Sequence, residues 1–253
     1  MRFLIVGFGL LAAICSNAVS AAPEPVAAQP ASNVAPPVSG ATAAALARVV
    51  APIDLMVPIE LEQARKAIIA LPTLDNDAKQ LEAEYPGIYA AVWSEAEPEM
   101  RRQSVANYPG YWAILEQIYV KRLTENEAQA VLRFFKSPTG QKLIRNMYSS
   151  VDAAPIFADM VKTDNYSFDE KQMQAITDAA KAKAVQQIGK EDHADLWILL
   201  TSIRLEKFKA LGAETQKATL DWVNKEDAEG EEKLGKIMQA AMERYMDAHP
   251  PKK

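Results

Sequence analysis

Apolar residues recur at helical spacing from about residue 41 to the end of this chain, and no run alternates with period two for long enough to predict a strand. The spacing predicts helices over 44–50 and 59–71, the second ended by Pro72. Asp75 is placed to cap a helix with Leu74, Ala78, Leu81 and Tyr85 on one face, ended by Pro86. Pro98 opens a helix to residue 107, Pro109 punctuates again, and 111–122 brings Trp112, Leu115 and Tyr119 to one side. An irregular stretch with Pro155 follows. A capping box at Ser167-Phe168-Asp169-Glu170 then opens a helix that Gly189 closes. Further helices are expected over 191–211, closed by Gly212, and over 213–224. The last carries Leu234, Ile237, Met238, Ala241 and Tyr245 at heptad-like spacing.

The strongest local signals fall in 123–147, LTENEAQAVLRFFKSPTGQKLIRNM. Thr124 and Glu127 form a capping box, and the helix they open places Ala128, Val131, Leu132 and Phe135 at i, i+3, i+4 and i+7. Pro138 stops that helix and starts the next, with Ser137 as its N-cap. Leu143, Ile144, Met147 and Val151 face inward on the second helix, and Gly140 in its first turn lets a neighbouring backbone approach closely. Two helices with almost no loop between them must pack as an αα-hairpin or corner. The expected fold is all-α, a multi-helix bundle of short antiparallel helices with a central αα-corner.

This stretch resembles the bacterial family named domain of unknown function 2059. The residues that carry the resemblance are Tyr119, Thr124, Glu127, Phe134, Phe135, Lys136, Ser137, Pro138, Gly140, Gln141 and Lys142. The family's aromatic pair is Phe-Tyr, whereas this chain has Phe134-Phe135 and lacks that hydroxyl. The resemblance covers about 35 residues and is faint elsewhere. It implies a secreted helical protein of Gram-negative bacteria and supplies no activity, cofactor or catalytic residue.

The N-terminus reads as a secretory signal. Arg2 is a short positive start, 3–14 is an apolar run too short to span a bilayer, and Ala18-Val19-Ser20-Ala21-Ala22 offers small residues for cleavage after Ala21. Lipid attachment at Cys15 is disfavoured because Ile14 stands where such signals take a small residue. The organisation expected is a signal peptide over 1–21 and a Pro/Ala-rich linker over 22–41. A helical domain over 42–165 holds the corner, and C-terminal helices over 166–253 pack on it. Lys190-Glu191-Asp192 before Leu196, Leu199 and Leu200 parallels Glu125-Asn126-Glu127 before Val131, Phe134 and Phe135. The second copy lacks the Ser-Pro-x-Gly turn, which leaves a degenerate duplication and coincidence both open.

After cleavage no cysteine remains, so stability has to come from an apolar core, which a chain that is 49% hydrophobic can supply. No later segment is expected to reach transmembrane length, and the most apolar run, 196–200, reads as a buried helix turn. The net charge of −5 argues against a nucleic-acid partner, which needs a basic face.

Candidate chemistry is sparse. His193 lies beside Glu191, Asp192 and Asp195, but Trp197 stands where a second ligand at i+4 would be needed, so a solvated helix start is expected. His249 lies in the tail. The acidic turn at 226–232 lacks the ligand spacing of a calcium loop. Nucleophile and phosphate-loop motifs are absent, and carboxylate pairs on helices read as surface. Lys136, Gln141 and Lys142 could hold an anion at the helix N-terminus. The alternative is that Ser137, Pro138 and Gly140 specify the corner while Lys136 and Lys142 are merely exposed and nearly neutral for folding. Trp112, Tyr119, Phe134, Phe135 and Tyr148 are expected in the core.

The function this predicts is a non-enzymatic protein of the bacterial envelope, in the periplasm, that binds another envelope protein or serves as a structural module. No cofactor, metal, nucleic acid or membrane span after signal cleavage is expected. A carrier of a small apolar ligand held between helices is the alternative, and a hydrolase is disfavoured because no polar constellation is visible.

Overall fold

The computed structural model describes residues 36–163, 167–225 and 227–250, so the predicted signal, most of the predicted linker and Glu226 lie outside the described residues. Among the described residues the chain forms α-helices and no strand, with one isolated bridge between Pro37 and Thr124. The helices are α1 (Gly40–Val50), α2 (Ile53–Leu74), α3 (Asn76–Glu84), α4 (Ile88–Arg122), α5 (Glu125–Lys136) and α6 (Pro138–Ser149). They continue with α7 (Ala154–Thr163), α8 (Glu170–Gln186), a 3₁₀ turn (Lys190–Asp192), α9 (His193–Ser202), α10 (Leu205–Val223) and α11 (Ala228–Ala248). The all-α bundle that the apolar spacing predicts is the fold.

The longest helix, α4, touches α1, α2, α3, α10 and α11. The sequence divides it at Pro98 and Pro109, yet both prolines lie inside it, as Pro58 and Pro72 lie inside α2. Each proline removes one i→i−4 hydrogen bond. The carbonyls that lose their donors in α4 belong to Ser94 and Val105, both on the solvent side, where water can take the donor's place. Periodicity also hides the continuity. The buried set Ile88, Tyr89, Val92, Trp93, Ala96 and Met100 and the buried set Tyr108, Tyr111, Leu115, Ile118 and Tyr119 are offset by about a quarter turn at 100° per residue. Each half looks like a separate amphipathic helix. Gly87, at φ 93°, turns the chain from α3 into α4 and donates its N–H to Glu82 at 2.7 Å.

Other boundaries move for local reasons. The packed chain begins before residue 42: Val38 is buried, Ser39 caps α1, and the Pro36 carbonyl accepts from the Glu125 amide at 3.1 Å. The cap of α8 is Asp169, paired reciprocally with Gln172 at 2.7 and 3.0 Å, two residues past the predicted Ser167 start. The helix expected over 191–211 breaks at Ile203, which is buried with an extended backbone, and Gly212 lies buried inside α10 rather than ending a helix. Among the described residues Gly40–Leu74, and no part of 196–200, is the stretch long and apolar enough by composition to cross a membrane. In the structure Ala51 and Pro52 divide it into α1 and α2, both packed on α4. His249 stacks on Tyr245 with ring centroids 4.2 Å apart.

Candidate functional site

The corner forms from its own sequence. The Thr124 hydroxyl accepts from the Glu127 amide at 3.4 Å, and the Glu127 carboxylate accepts from the Thr124 amide at 2.8 Å. Glu127 also takes the Lys207 ammonium, which ties α5 to α10. Burial pushes the Glu127 carboxyl up, but Lys207 and Thr124 outweigh it and hold it below its ordinary range. Its neighbour Glu125 accepts from the Thr42 hydroxyl at 2.6 Å and the Ser39 amide at 2.8 Å, fixing the start of α1. Those bonds hold Glu125 at about 2.

Ser137 ends α5 and caps α6, accepting from the Gly140 amide at 3.2 Å, with Pro138 at the first helical position. A Cβ on Gly140 would stand 2.0 Å from the Phe134 carbonyl oxygen, so glycine alone permits this turn. The Gln141 amide donates to the Phe135 carbonyl at 2.5 Å and satisfies an open end of α5. Phe134 and Phe135 are buried, edge to face at 5.0 Å, and Tyr119 on α4 is fully buried in the same core cluster. Trp112 is half-buried, and its indole donates to the Ala51 carbonyl at 3.0 Å.

An anion does sit at the start of α6, and it is the protein's own. Asp192, 6% exposed at its side chain, accepts from Lys142 at 2.7 Å, the Thr139 hydroxyl at 3.1 Å and the Gly189 amide at 2.9 Å. Lys142 chiefly, then the Gly189 amide, hold its carboxyl below the usual range. Lys142 is therefore engaged rather than merely exposed, and Asp192 is not part of a solvated helix start. Lys136 is exposed, Gln141 serves the corner, and His193 is exposed as expected.

The clasp fixes the beginning of α9, which packs on α5. Leu196 and Leu199 point inward, while Trp197 and Ile198 are 48% and 58% exposed. The expected buried turn therefore carries two large apolar residues exposed side by side, an arrangement that no other described residues show. The sequence hid this because all four residue types suit a core, and only α9's single packed face decides between them.

Residues 113–158 match the family described as "Uncharacterized protein conserved in bacteria (DUF2059)". The chain is similar to that family over this segment. No curated protein and no solved structure matches the chain. The family segment thus contains the corner, its capping box and the Thr139–Lys142 half of the clasp, and Asp192 lies outside it.

A second polar feature went unseen in the sequence. Glu60 of α2, 3% exposed, accepts from the Tyr108 hydroxyl of α4 at 2.6 Å. Burial pushes its carboxyl up to about 8, so it is held neutral. Tyr111 pairs with the Thr219 hydroxyl at 2.9 Å and Tyr148 donates to the Val50 carbonyl at 2.8 Å. Burial raises all three of these tyrosines. The carboxylates-are-surface expectation fails at Glu60, whose only sequence signal is its position on the inner face with Met56, Val57 and Ala64.

Proposed function

We propose that this protein is exported to the bacterial envelope and acts there without catalysis, by binding another protein through the outer face of α9. The observation that carries this is the adjacent exposure of Trp197 and Ile198 on a helix held from below by Leu196 and Leu199 and at its start by Asp192. Apolar and aromatic side chains presented on a pre-ordered element lose little entropy on binding and serve as interface anchors. The use of Lys142, Thr139 and Gln141 inside the molecule supports a scaffold role for the family segment. Sealing of Glu60 and the tyrosine hydroxyls inside the bundle supports a structural rather than catalytic role for them. Export rests on Arg2, the apolar run that follows it and the small residues before Pro23.

A photo-crosslinking amino acid placed at Trp197 in intact cells is expected to give one discrete protein adduct, lost when Ile198→Asp is added. Absence of an adduct, or one indifferent to Ile198, contradicts the assignment. Intact mass of the envelope form is expected to show a chain that starts after Ala21; a retained Met1 or a lipid on Cys15 contradicts it.

A further inference from the structure

The bundle uses methionine in two ways. Met56, Met100, Met147, Met160 and Met173 are at most 2% exposed and fill the core. The other described methionines, Met238, Met242 and Met246, lie at i, i+4 and i+8 on one face of α11, and all three are only half-buried. A soft, polarisable side chain is thus kept at the surface on this helix and nowhere else among the described residues.

That face ends in an ordered imidazole. His249 is the C-cap of α11, and its exposed ring stacks on Tyr245 with centroids 4.2 Å apart. Its Nδ1 lies 3.0 Å from the Tyr245 carbonyl oxygen. A carbonyl only accepts, so Nδ1 carries the proton, and in the neutral ring Nε2 keeps a lone pair. Tyr245 is itself fixed, its hydroxyl donating to the Pro86 carbonyl at 2.5 Å. Metal-binding histidines adopt this arrangement, one ring nitrogen donating to a backbone carbonyl and the other left to the ion.

Met246 precedes His249 by three residues, the spacing at which helical side chains are neighbours, about 5–6 Å apart at Cβ. The end of this 21-residue helix has no basic residue in its last turn, and the negative pole of the helix favours a cation there. No three His, Cys, Asp or Glu side chains gather to hold a metal among the described residues. The donors here are a thioether and an imidazole, a soft pair that selects copper(I). We propose that the C-terminal end of α11 binds one copper(I) ion through the Met246 sulfur and His249 Nε2. The site is separate from the outer face of α9, so failure of either assignment leaves the other standing.

The test is anaerobic titration of the full exported chain with copper(I) against a chromophoric copper(I) chelator. Past Ala21 the chain has no cysteine to compete for the ion. Transfer of one copper(I) per chain is expected, with no displacement by excess zinc(II). Met246→Leu keeps the side-chain volume and His249→Ala changes an exposed position, so both variants are expected to stay folded. Each is expected to weaken binding about tenfold or more. Met238→Leu, two turns before Met246 on the same face, is expected to leave affinity unchanged. No transfer of copper, unchanged affinity in Met246→Leu or His249→Ala, an equal loss in Met238→Leu, or displacement by zinc(II) overturns the proposal.

Discussion

At the corner, single atoms decide the fold. A Cβ on Gly140 would also stand 2.6 Å from the Phe135 Cα, so Gly140→Ala must part α5 from α6. The expected cost is at least about 3 kcal/mol, at the upper end of overpacking effects. Urea denaturation reads it as a lower midpoint, and an unmoved midpoint contradicts the contact. Phe135, fully buried, is expected to cost about 3–5 kcal/mol as Phe135→Ala, against about 1 kcal/mol for the cap variant Thr124→Ala. Lys136→Met and Lys142→Met separate exposed from engaged charge. Only the second removes the cation from a buried carboxylate, so only it is expected to lower the midpoint clearly. The cap, the proline and the glycine were legible because each acts within a few residues of itself. Asp192 was not, because its partner Lys142 lies 50 residues earlier in the chain.

At the scale of elements, existence was legible and continuity was not. The quarter-turn shift of the buried face made α4 read as several helices, and exposed carbonyls let its prolines stay inside it. The contact of α2 with α4 through Glu60 and Tyr108 sets a pH dependence. Between about 4.5 and about 8 the folded protein holds a proton that the unfolded chain has lost, so stability falls as pH rises through that window. A shift of this size corresponds to a loss of about 5 kcal/mol across the window. Denaturation midpoints measured at pH 5 and pH 8.5 are expected to fall steeply in the native protein and to flatten in Glu60→Gln. Parallel profiles for the two proteins contradict a neutral buried carboxyl.

Across the whole molecule, local and distant contacts divide the work. The Thr124 capping box and the corner set helix directions from within the family segment, while α9, α10 and α11 attach through pairs that span long stretches of chain. These include Lys207 with Glu127, Lys233 with Glu99 at 3.0 Å, and the Asp192 clasp. The central claim is that the family segment is a scaffold that orders α9 through Asp192 and so presents Trp197 and Ile198. Hydrogen exchange of the full chain, native against Asp192→Ala, tests it most directly. Loss of protection confined to 189–202, with α5 and α6 as protected as before, is the predicted result. Unchanged protection over 189–202, or loss spread equally through α5 and α6, would contradict it.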